Sequence, residues 1–181
     1  MELRPLGRTG VQVSGFCLGA MMFGAWGNPD HDESIRTIHR ALDAGINFID
    51  TADVYSAGES EVIVGKALAG SRRDDVILAT KAHAAMGKDR NMRGNSRRWL
   101  VREVDNSLRR LGTDWIDLYQ VHRPDRHTDV EETLAALTGL PGVGAGGPVP
   151  AAPPHHMRFR YMASVTSGAQ RSEVQRRGIS V

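Results

Sequence analysis

Residues 95–122 read NSRRWLVREVDNSLRRLGTDWIDLYQVH. Two periodicities meet in this stretch. Leu100, Val101, Val104, Leu108 and Leu111 recur at three- and four-residue spacing, which lines one face of a helix. Asn95 or Ser96 supplies an N-cap, because a short polar side chain can accept a free N–H of the first turn. Gly112 suits the left-handed position that closes a helix. WIDLYQVH, residues 115–122, then reads as a strand rich in β-branched and aromatic residues. A long helix running straight into an apolar strand is the second half of a β–α–β crossover.

The same alternation extends outward. Upstream, VSGFCLGA (13–20), NFID (47–50) and DVILATK (75–81) read as strands. A helix is expected from about Asp32 to Ala44, with Ile35, Ile38, Ala41 and Leu42 on one face and Gly45 after it. Another is expected from Glu59 to Ala69, with Val62, Ile63 and Leu68 inward and Gly70 closing it. Downstream, Thr128-Asp129-Val130-Glu131 has the spacing of a capping box, which opens a helix with Val130, Leu134 and Leu137 inward. The opening LRPLGRTGVQVS reads as a hairpin turning at Arg8-Thr9-Gly10 and capping one end of the sheet. Four strand–helix units with short connections imply a parallel sheet with helical crossovers, either a (β/α)8 barrel or a doubly wound sheet. No G-x-G-x-x-G follows the first strand, so a Rossmann dinucleotide site is not expected.

At 181 residues the chain can bury one real core. Its 23 basic and 21 acidic residues are interspersed for a net charge of +2, which argues against a nucleic-acid surface. No apolar run approaches a membrane span, and the N-terminus lacks the apolar centre of a signal peptide. Cys17 is the only cysteine, so no internal disulfide can form, and it is expected as a small buried hydrophobe. A cytoplasmic protein is the expectation. The pattern stops after Leu140. Residues 141–154 contain only Gly, Pro, Ala and Val, with five of the chain's eight prolines. Residues 155–181 carry five Arg against one Glu and show no sustained period. This segment is expected to be a disordered basic tail, or the product of a shifted reading frame in GC-rich DNA, which sequencing of the gene would test.

Three of the four strands end at a polar residue: Asp50, Lys81 and His122. Tyr55 sits in the loop after the second. In a parallel barrel the carboxyl ends of all strands lie on one rim, where active sites are built. An acid at the end of an apolar strand is costly to bury alone, and Lys81 is its expected partner. The same ammonium aimed at the Tyr55 hydroxyl favours the phenolate and lowers the tyrosine's pKa. Tyr55 becomes a proton donor near neutral pH, and His122 is placed to orient the same substrate oxygen. Singly, each residue has a plainer reading as a rim salt bridge or a packing ring; their joint placement favours chemistry. His122, Asp125 and His127 form H-x-x-D-x-H, but no other strand end offers a matching ligand, so no metal is expected. His155 and His156 are expected to be solvated. Arg97-Arg98 and Arg109-Arg110 read as helix surface, and Trp99 and Trp115 as packing residues.

GFCLGAMMFG, GINFIDTADVYSAGESE, ILATK and SLRRLGTDWIDLYQVHRPD resemble the N-terminal half of an aldo-keto reductase, over roughly residues 3–140. The flavour is that of bacterial reductases related to potassium-channel β subunits. The resemblance implies a (β/α)8 TIM-barrel fold and NADPH-dependent, reversible reduction of small aldehydes and ketones. It implies a catalytic tetrad of Asp50, Tyr55, Lys81 and His122, in which Tyr55 protonates the carbonyl, Lys81 tunes Tyr55, Asp50 holds Lys81 and His122 positions the substrate. Gly19, Ala20 and Met21 are implied near the nicotinamide ribose, with Asp50 also touching the cofactor. Trp26 is implied as a wall of the substrate pocket beside Tyr55 and His122. A full member has about eight βα units. Here the expectation is an α/β fold truncated to about four, with residues 1–140 as a partial barrel, an N-terminal hairpin, and 141–181 as an irregular tail. Nothing after Leu140 resembles the family's loops for the carboxamide, pyrophosphate and 2′-phosphate. Open barrel edges predispose such a chain to self-association, and an inactive fragment or a reductase-like binding subunit are the alternative functions.

Overall fold

The computed structural model describes residues 1–140 and 163–165. A hairpin of β1 (Leu3–Pro5) and β2 (Gln12–Ser14) pairs antiparallel, with Leu3 opposite Ser14. Then come β3 (Leu18–Gly19), α1 (His31–Asp43), β4 (Phe48–Asp50), a 3-10 turn (Tyr55–Gly58) and α2 (Glu59–Leu68). They are followed by β5 (Ile77–Ala82), α3 (Arg97–Leu111), β6 (Leu118–Val121), α4 (Val130–Thr138) and β7 (Ala163–Val165). Strands β3 to β7 form one sheet in chain order, every pair parallel. Gly19, Asp50 and Ala79 stand side by side in register, as do Lys81 and Gln120.

The core lies between the sheet and its helices. Ile49, Leu78, Tyr119 and Val121 face Ile38, Ile63, Val64, Leu100, Val104 and Leu108, all buried. This face is why the helical periodicity was legible: each helix places an apolar stripe on the sheet. Capping fixes where the helices begin. The Asp30 carboxylate accepts the Glu33 N–H at 3.0 Å before α1. The Ser96 hydroxyl accepts the Trp99 N–H at 3.3 Å before α3, and Gly112 closes that helix at φ 62°.

The structure departs from the sequence pattern in four places. First, residues 13–20 are not one strand. The Ser14 hydroxyl donates to the Phe16 carbonyl at 2.6 Å and bends the chain, so β2 stops and β3 restarts at Leu18. Phe16 and Cys17 are left exposed, so Cys17 is not the buried hydrophobe expected. Second, β6 begins only at Leu118, because the Asp117 carboxylate is drawn to the Leu78 N–H (2.9 Å) and Arg73 (2.8 Å). Third, Asp129 and not Thr128 holds the N-cap position of α4. The Thr128 hydroxyl donates instead to Asp125 at 2.7 Å, and the buried stripe becomes Thr133, Ala136 and Leu137. Fourth, Ala163–Val165 pairs with β6 as a fifth parallel strand, within a segment expected to be irregular. That run carries neither Gly nor Pro, and the edge of β6 offers it unpaired backbone groups. The other expectations for residues 141–181 lie outside the described residues. Among the described residues, no helix is long and apolar enough to cross a membrane.

Candidate active site

Strand alternation places Ile49 in the core and turns Asp50 to the opposite face. On the neighbouring strands, Lys81 and Gln120 share that face. Lys81 Nζ donates to Asp50 Oδ2 at 2.6 Å, to the Thr51 carbonyl at 2.8 Å and to the Tyr55 hydroxyl at 3.3 Å. All three of its protons therefore have an acceptor, and the ammonium is fixed in direction. Gln120 Nε2 donates to the other Asp50 oxygen at 3.1 Å. His122 follows β6 and is held by its own N–H on the Ala82 carbonyl at 3.0 Å. Its ring stands edge-on to the Tyr55 ring, with centroids 5.6 Å apart. Burial first, then the charges of Lys81 and Arg123, hold His122 below the usual imidazole range, so it is neutral at neutral pH.

Tyr55 is aimed by an unusual turn. Ser56, Ala57 and Gly58 follow it at φ 49°, 56° and 95°, three left-handed residues in a row. Only Gly adopts this region freely, and each of the other two costs about 1 kcal/mol. Gly58 is required twice over, because a Cβ there would also meet Arg110 Cδ at 2.7 Å. The turn reverses the chain at once into α2 and leaves the Tyr55 ring against Lys81, whose Nζ lies 5.0 Å from the ring centre.

The loop after β3 completes this rim. The Ala20 N–H is bound to the Asp50 carbonyl at 2.9 Å, and Ala20 is buried. Gly19 borders open space where a Cβ would stand, and Met21 is 47% exposed. Trp26 is exposed, with its ring centroid 6.1 Å from that of Tyr55. The structure thus brings Asp50, Tyr55, Lys81, His122, Gly19, Ala20, Met21 and Trp26 to one rim.

Several neighbours of these residues escaped the sequence pattern. Gln120 is one; only the strand register of β6 could have shown that it shares the face of Lys81. Arg110 is another, and it corrects the reading of Arg109-Arg110 as helix surface. Arg109 is exposed, but Arg110 donates to Glu61 at 2.5 Å and to Glu103 at 2.6 Å, and both carboxylates are fully buried. Asp125 is a loop tie: it accepts from the Asn95 N–H (3.0 Å), the His127 N–H (2.9 Å) and Thr128 (2.7 Å). Among the described residues, no group of three His, Cys, Asp or Glu is placed to hold a metal. Trp99 is buried, and Trp115 is covered by the Arg73 guanidinium at 4.3 Å.

Comparison with known proteins agrees with the parallel α/β fold. The model of the Aldo/keto reductase family matches residues 16–144. Aldo-keto reductase YhdN of Bacillus subtilis (strain 168) is 46% identical over 147 residues, covering 80% of this chain and 44% of that protein. A probable voltage-gated potassium channel subunit beta of Oryza sativa subsp. japonica is 40% identical over 143 residues, 76% of this chain and 42% of that one. The solved structure of aldo-keto reductase AKR11C1 from Bacillus halodurans, in its holo form, aligns with a TM-score of 0.77 at 35% identity. That alignment covers 98% of this chain and 54% of the solved one. The parallel sheet is therefore of the TIM-barrel type, and the chain spans about half the length of the relatives it matches.

Proposed function

The chain belongs to the aldo/keto reductase family, and from that premise we propose that it reduces small aldehydes and ketones to alcohols with NADPH. The observation that carries the reading is the single ammonium of Lys81 bound at 2.6 Å to Asp50 and at 3.3 Å to the Tyr55 oxygen. When bound, NADPH supplies the hydride. The carbonyl carbon would take up that hydride while the carbonyl oxygen takes the Tyr55 proton, giving the alcohol. Lys81 stabilises the charge left on the Tyr55 oxygen until a solvent proton replaces the one given. Asp50 keeps Lys81 in place, and neutral His122 donates its ring N–H to the carbonyl oxygen and orients it.

The described residues fit the nicotinamide end of the cofactor. Gly19 leaves open space beside Asp50, and Met21 is accessible. Gly19, Met21 and Asp50 would hold the ribose, with Ala20 fixing the backbone through its bond to Asp50. Trp26 would wall the substrate pocket.

The test is NADPH fluorescence on addition of protein, followed by its consumption with a reactive aldehyde. Tyr55→Phe is expected to lower kcat by roughly 100-fold or more, the scale of a lost general acid. Undiminished consumption by that variant would overturn the reading. A second reading, an accessory subunit, draws on the likeness to the rice channel subunit. A partner retained equally by Tyr55→Phe, with no cofactor consumed by either chain, favours it. We also propose that the chain associates with a second copy through its sheet edges.

A further inference from the structure

The left-handed turn after Tyr55 has a second outcome: it directs Ser56 and Glu59 at the Trp26 loop. The Ser56 hydroxyl donates to the Phe23 carbonyl at 3.1 Å and accepts the Trp26 N–H at 3.0 Å. Glu59 Oε2 accepts the Ala25 N–H at 2.8 Å, while its Oε1 pairs with His31 at 2.8 Å. The loop is therefore gripped at three positions, 23, 25 and 26. It is also closed on itself, with the Gly24 N–H on the Asn28 carbonyl and the Asn28 N–H on the Met22 carbonyl, both at 2.8 Å. The contact is close enough to exclude a side chain: a Cβ on Gly24 would meet Glu59 Oε2 at 2.6 Å and Ser56 Cβ at 2.9 Å. Trp26 is 53% exposed and lies outside the hydrophobic core cluster, so its place 6.1 Å from Tyr55 is set by this grip rather than by burial.

We propose that Ser56 and Glu59 are positioning residues for substrate choice, a clasp that holds the Trp26 indole beside Tyr55 and so favours carbonyl substrates with a flat aromatic group. The inference rests on the carbonyl-reductase reading and deepens it. A short aliphatic aldehyde reacts at Tyr55 without reaching the indole. An aromatic aldehyde gains a face to lie on, provided that the face is held still.

Steady-state kinetics with benzaldehyde and butanal test this in Ser56→Ala, Ser56→Gly, Glu59→Ala and Glu59→Gln. In the two Ser56 variants and Glu59→Ala, the KM for benzaldehyde is expected to rise roughly tenfold, the scale of a lost apolar pocket contact. The KM for butanal and both kcat values should move far less. Glu59→Gln keeps an acceptor for the Ala25 N–H and should resemble the parent chain. Ser56→Ala keeps the backbone strain and Ser56→Gly relieves it, so a shared effect assigns the change to the hydroxyl. Acrylamide quenching of Trp26 fluorescence, taken by difference against Trp26→Phe, should rise in Ser56→Ala and Glu59→Ala but not in Glu59→Gln. Unchanged quenching and an unchanged ratio of KM values in Ser56→Ala overturn the clasp, as does Glu59→Gln behaving like Glu59→Ala. If the parent chain consumes no NADPH with either aldehyde, the reductase reading fails and substrate choice fails with it. The quenching result alone then shows whether the loop is gripped.

Discussion

Two residues before Tyr55, Asp53 is fully buried, and no side chain hydrogen-bonds its carboxyl group. Burial first, then the charges of Glu103 and Glu61, push its pKa from 3.8 up to about 8. At neutral pH it therefore carries a proton, which spares the fold a third negative charge beside one arginine. In the unfolded chain the same group ionises near its ordinary value. Between about pH 4 and pH 8 the folded state thus holds a proton that the unfolded state has released, and stability falls as pH rises through that window. Above about 8 both states are ionised and the slope ends. Asp53→Asn removes the titration. Its melting temperature should match the parent near pH 4 and exceed it by several degrees at pH 8, as calorimetry would show. Equal melting temperatures at both pH values would remove Asp53 from the account. Asp50, Tyr55, Lys81 and His122 were legible because each interrupts or follows an apolar run. Asp53 was not, since nothing in DTADVY tells which acid meets a lysine and which is buried beside other carboxylates. Which acid meets Lys81 and which is buried near Glu61, Glu103 and Arg110 depends on the turn at 51–55, where Thr51 and Asp53 hang by their N–H groups from the carbonyls of Ala79 and Lys81.

Among the elements, α2 and α3 are joined by charge as well as by apolar packing. Arg110 of α3 reaches Glu61 of α2 and Glu103 two turns earlier on its own helix, and Thr80 of β5 donates to Glu61 at 2.6 Å. One guanidinium thus balances two buried carboxylates and lies against Gly58, next to the strained turn. Removing it strands both acids. Arg110→Met should cost roughly 3–5 kcal/mol in urea unfolding, the usual penalty for breaking a buried pair from one side. Adding Glu61→Gln and Glu103→Gln to that variant should recover a large part, because the uncompensated charges are gone. No recovery would place the loss in packing instead. The helices themselves were legible from their aliphatic stripes, since the period of 3.6 survives any identity of the polar residues. The ion network was not. Glu103, Ser107 and Arg110 share a face at the same three- and four-residue spacing, but charged residues read as solvent-facing until the partner helix is in place. The break between β2 and β3 was hidden for a similar reason: one Ser14 hydroxyl captures a backbone carbonyl, which apolar alternation does not register.

At the scale of the whole molecule, the parallel order of β3 to β6 was legible in the bare alternation of strand and helix, whereas β7 pairs where no period announced it. The sheet that results has an unpaired edge at β3 among the described residues, since β3 joins only β4. Parallel edges carry backbone donors and acceptors that seek a partner. Around this one the sequence places apolar side chains in water: Phe16 is 70% exposed, Met21 47% and Met22 53%. With roughly 25 cal/mol recovered per Å² of apolar area covered, a second copy laid along β3 would gain both hydrogen bonds and burial. The purified chain should therefore show a sedimentation coefficient that climbs with protein concentration. Phe16→Lys places a charge at the edge without touching the core, and should shift the curve toward the monomer while the melting temperature at low concentration holds. A concentration-independent monomer in the parent chain would show that the edge is satisfied without a partner. A variant that associates as strongly as the parent would place the contact away from β3.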